Sequence, residues 1–386
     1  MTERTEMRAV AAVKCSAYGP EELRMRTAEA IKLAGGLPEK VKPGAKILIK
    51  PNLLTALSPE MAATTHPEVV RALIRCLRAK GIDNITVGDS PAGGHSWEKL
   101  WTETGFLEMT KQEGVPLLPF ENIKRVECEG VGVLPLLREL DDFDAVISVP
   151  KLKTHALTKV TGAVKNSYGL MVGHAKSNFH GDFPSPRQMA RFLVKFYSFV
   201  KPDFVLMDSI VCMEGEGPAG GNPKHIGILF AGCDAVAVDA CACRIFGYAP
   251  RDITMLVEAE KAGFGIASPD KISLKGDAVE LLDKTLAARS SKVDMLHAFP
   301  EPVFKIASLF LACRPHIDPA LCKKCGMCEK ICSQKAIRQR KGIFKVKKSD
   351  CILCMCCLES CPYHAISLVS PGMKIKRIIK KLMGKD

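Results

Sequence analysis

Two stretches near the end of the chain repeat one another, the first beginning at Cys322 and the second at Cys351. The first reads Cys322-Lys-Lys-Cys325-Gly-Met-Cys328-Glu-Lys-Ile-Cys332, the second Cys351-Ile-Leu-Cys354-Met-Cys-Cys357-Leu-Glu-Ser-Cys361-Pro362. Both are C-x2-C-x2-C-x3-C, and both are followed by Ala-Ile, at Ala336-Ile337 and Ala365-Ile366. Three thiolates so spaced can hold three irons of one cubane, and a fourth at the start of the next helix reaches the other cubane. The pattern therefore predicts two [4Fe–4S] clusters. Cys322, Cys325 and Cys328 would share one with Cys361, and Cys351, Cys354 and Cys357 the other with Cys332.

This is the pattern of a bacterial-type two-cluster ferredoxin, a small α+β unit, placed at 318–370. Zinc is the competing ligand of cysteine clusters, but it takes two separated C-x2-C pairs, not three cysteines at x2 spacing plus a fourth at x3, twice over. The repeat departs from its pattern in two places. Ser333 stands where a proline would follow the fourth cysteine, and Cys356 is an extra thiol beside Cys357.

The remaining composition is that of a globular protein, 47% hydrophobic and 25% charged in 386 residues. The N-terminus has scattered charges and no apolar run of the secretory kind. The longest apolar stretch, 303–313, is broken by Lys305 and is far short of the ~20 residues of a membrane-spanning helix. The nine other cysteines lack paired spacing and suit a reducing compartment, so the expected location is the cytoplasm, in a niche with little oxygen. The net charge of +13 is not spread evenly: residues 301–386 hold 18 Lys+Arg against 6 Asp+Glu, leaving the first 300 nearly neutral. A basic module on a neutral body points to an acidic donor or acceptor protein or an anionic surface. Nucleic acid fits less well, because only Phe344 and Tyr363 supply aromatic rings in the module.

Residues 1–297 alternate strand-like and helix-like segments. Strands are expected at 10–13, 46–50, 84–88, 145–149, 204–207, 226–230 and 271–274, and helices at 21–33, 67–80, 235–246 and 251–262. This alternation predicts an α/β domain with a mainly parallel sheet. Prolines 300, 302, 315 and 319 bracket the apolar piece 303–313, so 298–317 reads as a linker. Residues 371–386 place Ile375, Ile378, Ile379, Leu382 and Met383 at helical spacing among lysines and arginines. That basic amphipathic tail would dock on its own domain or lie on an anionic membrane surface.

Several further segments carry a resemblance. They are Lys50-Pro51-Asn52-Leu53, Thr65-His66-Pro67-Glu68, Gly88-Asp89-Ser90-Pro91, Val149-Pro150-Lys151-Leu152-Lys153-Thr154-His155, Thr161-Gly162-Ala163-Val164-Lys165-Asn166, Met213-Glu214-Gly215 and 234–239. With the cysteine repeat behind them, the chain resembles the iron–sulfur members of the family called domain of unknown function 362. The resemblance implies an architecture and no settled reaction.

The residues say more. Lys50, Asn52, Asp89, Lys151, Lys153 and His155 each follow an apolar strand, and in an open α/β sheet the C-terminal strand ends form the ligand crevice. Lys50, Lys151, Lys153 and Lys165, with Asn52 and Asn166, would give such a crevice a positive field for a carboxylate or phosphate. His155, Asp89 and Glu214 are the candidate proton-transfer groups. Each has a plainer reading: solvated loop lysines, a backbone-bonded histidine, a helix-capping Asp89. Asp234 and Asp239 read as groups that begin and face a helix, and no nucleotide-binding glycine pattern is present. Three functions stay open: an oxidoreductase fed by the clusters, an electron-transfer or assembly protein whose α/β domain only binds, and a non-redox enzyme with structural clusters.

Overall fold

Strand β1 (Arg8–Lys14) sends alternate side chains to opposite faces, Val10 and Ala12 into one core and Ala11 and Val13 into another. That two-sided burial is what a central strand of a covered sheet requires. The computed structural model describes residues 7–91, 96–155, 157–173, 175–288, 314–340, 342–361, 363 and 365–369. In it β1 lies in a ten-stranded, mainly parallel sheet.

The other strands of that sheet are β2 (Ile47–Pro51), β3 (Ile85–Asp89), β4 (Leu117–Pro119), β7 (Ala145–Val149), β8 (Lys151–His155), β9 (Lys159–Thr161), β10 (Phe204–Glu214), β11 (Asn222–Gly232) and β12 (Ile272–Lys275). The main order is β12-β1-β11-β10-β7-β2-β3-β4, with β8 paired to β10 and β9. A separate hairpin joins β5 (Ile123–Cys128) to β6 (Gly132–Leu137). Helices α1 (Pro20–Leu33) and α2 (Pro67–Arg78) cover one face, joined by α3 (Trp97–Glu103) and α4 (Phe106–Glu113). On the other face lie α5 (Ala163–Asn166), α6 (Ala175–Asp182), α7 (Pro186–Phe199), α8 (Ala235–Ala242) and α9 (Thr254–Lys261). On α2, Val69, Val70, Leu73, Ile74 and Leu77 are buried, each worth about 1.5–3 kcal/mol of transfer free energy.

Three local outcomes differ from the sequence pattern. The segment 151–155 is itself a strand: Pro150 ends β7, and β8 continues beside β10, every residue buried. The expected helix 235–246 tightens into a 3₁₀ turn after Ala242 and stops at Gly247, φ 71°. Strands β10 and β11 run well beyond their apolar cores because they pair with each other from Val205↔Gly232 to Glu214↔Asn222.

The C-terminal unit is a small α+β fold. Strand β13 (Arg314–Ile317) pairs antiparallel with β16 (Ile366–Val369), and β14 (Ile337–Arg340) with β15 (Ile343–Val346). The unit thus begins by Arg314, inside the stretch read as linker. The apolar piece 303–313 and the tail 371–386 lie outside the described residues. The two cysteine loops share a backbone: Lys324 and Gly326 have φ 57° and 76°, and their counterparts Leu353 and Met355 have 61° and 66°. Non-glycine residues adopt this region only where the surroundings over-determine it, and turns of this kind aim N–H groups at an anion.

The unit packs on the α/β domain through Ala219 and Leu54 against Ile331, Cys356 and Leu358. Helix α6 meets it at Gly181, where an added Cβ would lie 2.8 Å from Gln334 Nε2 and 2.9 Å from Ser333 Oγ. Ser333, the departure from the repeat, is thus an interface residue.

Candidate functional site

The C-terminal ends of β2, β3 and β8 open on a cavity of about 80 Å³, closed on its far side by the cysteine unit. A cavity of that size takes a compact ligand. Lys50, Asn52, Asp89, Ser90 and Lys153 come from the strand ends, Thr161, Lys165, Asn166 and Tyr168 from β9 and the turn after it, and Lys176, Ser177 and His180 from α6. Ile331, Cys356 and Glu359 of the cysteine unit complete it.

The polar groups are held by one another. Lys50 Nζ lies 2.7 Å from Asp89 Oδ1 and donates to Pro51 O and Asn166 Oδ1 at 3.0 and 3.2 Å. Asp89 Oδ2 accepts from Leu53 N at 2.7 Å. Lys153 Nζ donates to Asn52 Oδ1 at 3.0 Å and to Ala63 O at 2.5 Å, and Lys176 Nζ to Ser90 O at 2.6 Å. Asn166 Nδ2 donates to Ser148 Oγ at 2.9 Å and Lys50 O at 3.2 Å. The short helix α5 that presents Lys165 and Asn166 is fixed by Asp239, which accepts from Ala163 N at 2.6 Å and Val164 N at 3.0 Å. Lys165 Nζ has no hydrogen-bond or ion-pair partner among the described residues. Neither have the buried Thr161 Oγ1 and His180 Nδ1.

Four lysines in so small a volume perturb one another. Burial lowers Lys50 and Lys165, opposed by Asp89 at the first and by Glu359 and Cys356 at the second. Burial carries Lys153 and Lys176 down to about 7, each helped by a neighbouring lysine. Burial alone would raise the Glu359 carboxyl, but His155 and the charge of Lys165 bring it to about 2. His155 Nε2 lies 3.3 Å from Glu359 Oε1, while its Nδ1 accepts from Leu157 N and Thr158 N at 2.9 and 3.3 Å. An imidazole accepting at Nδ1 cannot carry a second proton there, in line with a value brought by burial to about 3. The site thus sets the carboxylates of Asp89 and Glu359 against Lys50 and Lys165, and adds Lys153 and Lys176, close to half-charged at neutral pH and with no ion-pair partner among the described residues. A small anion fits that imbalance.

Of the residues expected from sequence, the cavity gathers Lys50, Asn52, Asp89, Lys153, Lys165 and Asn166. Three fall outside its lining. Lys151 is fully buried in another network, 2.8 Å from Asp208 Oδ2 and 3.0 Å from the Tyr18 hydroxyl; the register of β8 against β10 shifts between it and Lys153. His155 sits behind Glu359, locked by the backbone. Glu214 accepts from Ala288 N at 2.7 Å, at the far end of β10. The sequence reasoning missed Lys176, His180, Tyr168 and Glu359. Lys176 and His180, four apart on α6, carried the only local signal.

A larger groove of about 430 Å³ lies at the opposite end of β1, lined by Arg8, Lys201, Cys233, Asp234 and Glu260 among others. Its carboxylates are committed to structure. Asp234 caps α8, and Glu260 accepts from Ala267 N and Ser268 N.

The cysteines of the two motifs lie near one another in the C-terminal unit. Cys322, Cys325, Cys328 and Cys361 line one cavity of about 20 Å³. Burial and then the nearby thiols of Cys361, Cys322 and Cys325 push Cys328 up to about 11. Burial and then Cys354, Cys351, Cys332 and Cys328 raise Cys357. The first set is three thiols of the first motif and one of the second, while Cys357 has both Cys332 and Cys328 of the first motif beside it. The alanine after each motif donates its N–H to the fourth sulfur, Ala336 N to Cys332 Sγ at 3.2 Å and Ala365 N to Cys361 Sγ at 3.3 Å. Such bonds stabilise a thiolate and tune cluster potential. Among the described residues no three His, Cys, Asp or Glu side chains form a site for a single metal ion; the thiols stand around a volume. Nor is any described helix long and apolar enough to cross a membrane.

Comparison with known proteins agrees with this architecture. The thylakoid-associated protein sll1697 of Synechocystis sp. is 30% identical over 259 residues, 67% of this chain and 80% of that protein. Ferredoxin-1 of Rhodobacter capsulatus is 42% identical over 38 residues toward the C-terminal end, 10% of this chain and 58% of that one. Among solved structures, the lactate racemase apoprotein from Thermoanaerobacterium thermosaccharolyticum overlays with a TM-score of 0.41 at 13% identity, over 60% of this chain and 55% of that chain. That overlay is too loose to argue from. The model of the family described as "Domain of unknown function (DUF362)" matches residues 47–244. The chain belongs to that family and carries a ferredoxin-like segment at its C-terminal end.

Proposed function

We propose that the chain is an iron–sulfur oxidoreductase whose ferredoxin-like unit exchanges electrons with a small anionic ligand held in the cavity at the strand ends. One observation carries the reading: Cys356 and Glu359, which follow and interleave the ligand cysteines of the second motif, form a wall of the same cavity as Lys50, Lys153, Lys165 and Lys176. The eight motif cysteines would hold two [4Fe–4S] clusters, which supply one-electron transfer when bound. Every described cysteine is a free thiol, which suits a reducing cytoplasm.

The protein groups then have separable tasks. Lys165, without a hydrogen-bond partner among the described residues and with Glu359 on the facing wall, is the primary anion contact. Lys153 and Lys176 take up protons as the anion enters, since its charge restores what burial removed. Lys50 is neutralised by Asp89 and orients Asn166. Tyr168, Pro218 and Ile331 exclude bulk water, which strengthens each of these interactions.

Calorimetric titration of formate, acetate and bicarbonate into protein prepared without oxygen tests this. At least one should bind, and about ten-fold less tightly to Lys165→Met with iron content unchanged. Binding should weaken from about pH 6 to about pH 8, as Lys153 and Lys176 lose protons. Absence of binding by all three anions, or binding indifferent to Lys165 and to pH, contradicts the proposal.

A further inference from the structure

The two thiol sets occupy unlike surroundings. In the first motif Cys325 is exposed and Cys322 half-buried, flanked by exposed Lys323 and Lys324. Leu321 and Tyr363 are 51% and 43% exposed there, and Tyr363 lines the same small cavity as Cys325 and Lys323. Apolar side chains ringed by lysines over accessible thiols make a surface suited to a protein partner. The third cysteines, Cys328 and Cys357, are buried alike, but Cys354 is half-buried where Cys325 is exposed, and Cys356 beside Cys357 faces the anion cavity. On the opposite wall Tyr168 lies within electrostatic reach of Cys356 and Cys354, and Lys165 of Cys356.

Building on the redox reading above, we infer that electrons pass in a fixed order, entering at the Leu321–Cys325 face, where an acidic one-electron carrier docks, and ending on the second-motif thiol set, which borders the cavity. The basic excess of residues 301–386 fixes the sign of the partner, since complementary charge governs docking rate and register. An acidic flavodoxin has the required chemistry. Its anionic flavin hydroquinone gives up one electron and no proton to become the neutral semiquinone. That electron is gained first by the site of Cys322, Cys325, Cys328 and Cys361, and then by that of Cys351, Cys354, Cys357 and Cys332. The first site returns to its oxidised state, and no other reactant is consumed.

The test uses the full chain with its clusters, an acidic flavodoxin, and two variants read by calorimetry and by potentiometric titration followed by electron paramagnetic resonance. Lys323→Glu/Lys324→Glu should weaken flavodoxin binding at low salt by about ten-fold or more. It should also lower the midpoint potential of one cluster, because a reduced cluster is stabilised by nearby cations. Lys165→Met should lower the potential of the other cluster and leave flavodoxin binding unchanged. Unchanged binding in the double variant, or both variants shifting the same cluster, overturns the order. The anion titration is read separately. Its failure with this pattern intact sinks the ligand and keeps the order, and the double variant should bind anions as the wild type does.

Discussion

Gly169 gives the sharpest test of how the cavity is built. It sits in the turn after α5, where an added Cβ would lie 2.3 Å from Asp89 Oδ1, 2.5 Å from Lys50 Nζ and 2.7 Å from Lys50 Cε. Ordinary contact begins near 3.4 Å, so Gly169→Ala demands about an ångström of movement from two side chains that are 1% and 4% exposed. Neither is free to give it. Asp89 is pinned by Leu53 N and Ser90 N, and Lys50 by Pro51 O and Asn166 Oδ1. If the surroundings shift, overpacking costs about 1–3 kcal/mol; if the ion pair parts, stranding a buried charge costs about 3–5 kcal/mol. The expected loss is therefore about 1–5 kcal/mol, read as a lower midpoint in anaerobic urea unfolding. Gly19→Ala is the control: nothing lies within 4 Å of its added Cβ, and the change should stay within about 1 kcal/mol. A Gly169→Ala protein as stable as the control would refute the pinned Lys50–Asp89 pair beneath the cavity floor.

Two further outcomes follow from named contacts. Burial carries Asp239 up to about 7 from an ordinary 3.8, so the fold favours its protonated form. Its contribution should be complete below about pH 4 and lost as pH rises to about 7, at most about 4 kcal/mol, and Asp239→Asn should flatten that part of the stability–pH curve. Gly181→Val should force α6 from Ser333 and Gln334, raising hydrogen exchange at both surfaces while iron content stays unchanged; exchange equal to wild type would remove this contact from the interface.

The cysteine repeat was legible because its chemistry is written in local spacing, down to Ala336 and Ala365, whose N–H groups serve the fourth sulfurs. The α/β order was legible too, since β1, β2 and β7 are short apolar runs between helical periods. The strand-end rule pointed to Lys50, Asp89 and Lys153 for a physical reason: parallel strands end on one side. It could not separate Lys151 from Lys153, which as residues two apart would share one face of a regular strand; the pairing of β8 with β10 shifts register between them, and one meets Asp208, the other Asn52. Helix α6 has no clear apolar stripe, so Lys176 and His180 gave little sign of facing inward. Glu359 was hidden in plain view as a spacer between Cys357 and Cys361. Its importance depends on where a distant unit docks, which no local pattern encodes.

The account rests on the two thiol sets being cluster sites, and one determination bears on that most directly. Protein purified without oxygen should carry about eight irons and eight acid-labile sulfides per chain, as two cubanes on eight thiolates require. Stoichiometric zinc with little iron, or a single cluster's worth of iron and sulfide, would contradict it.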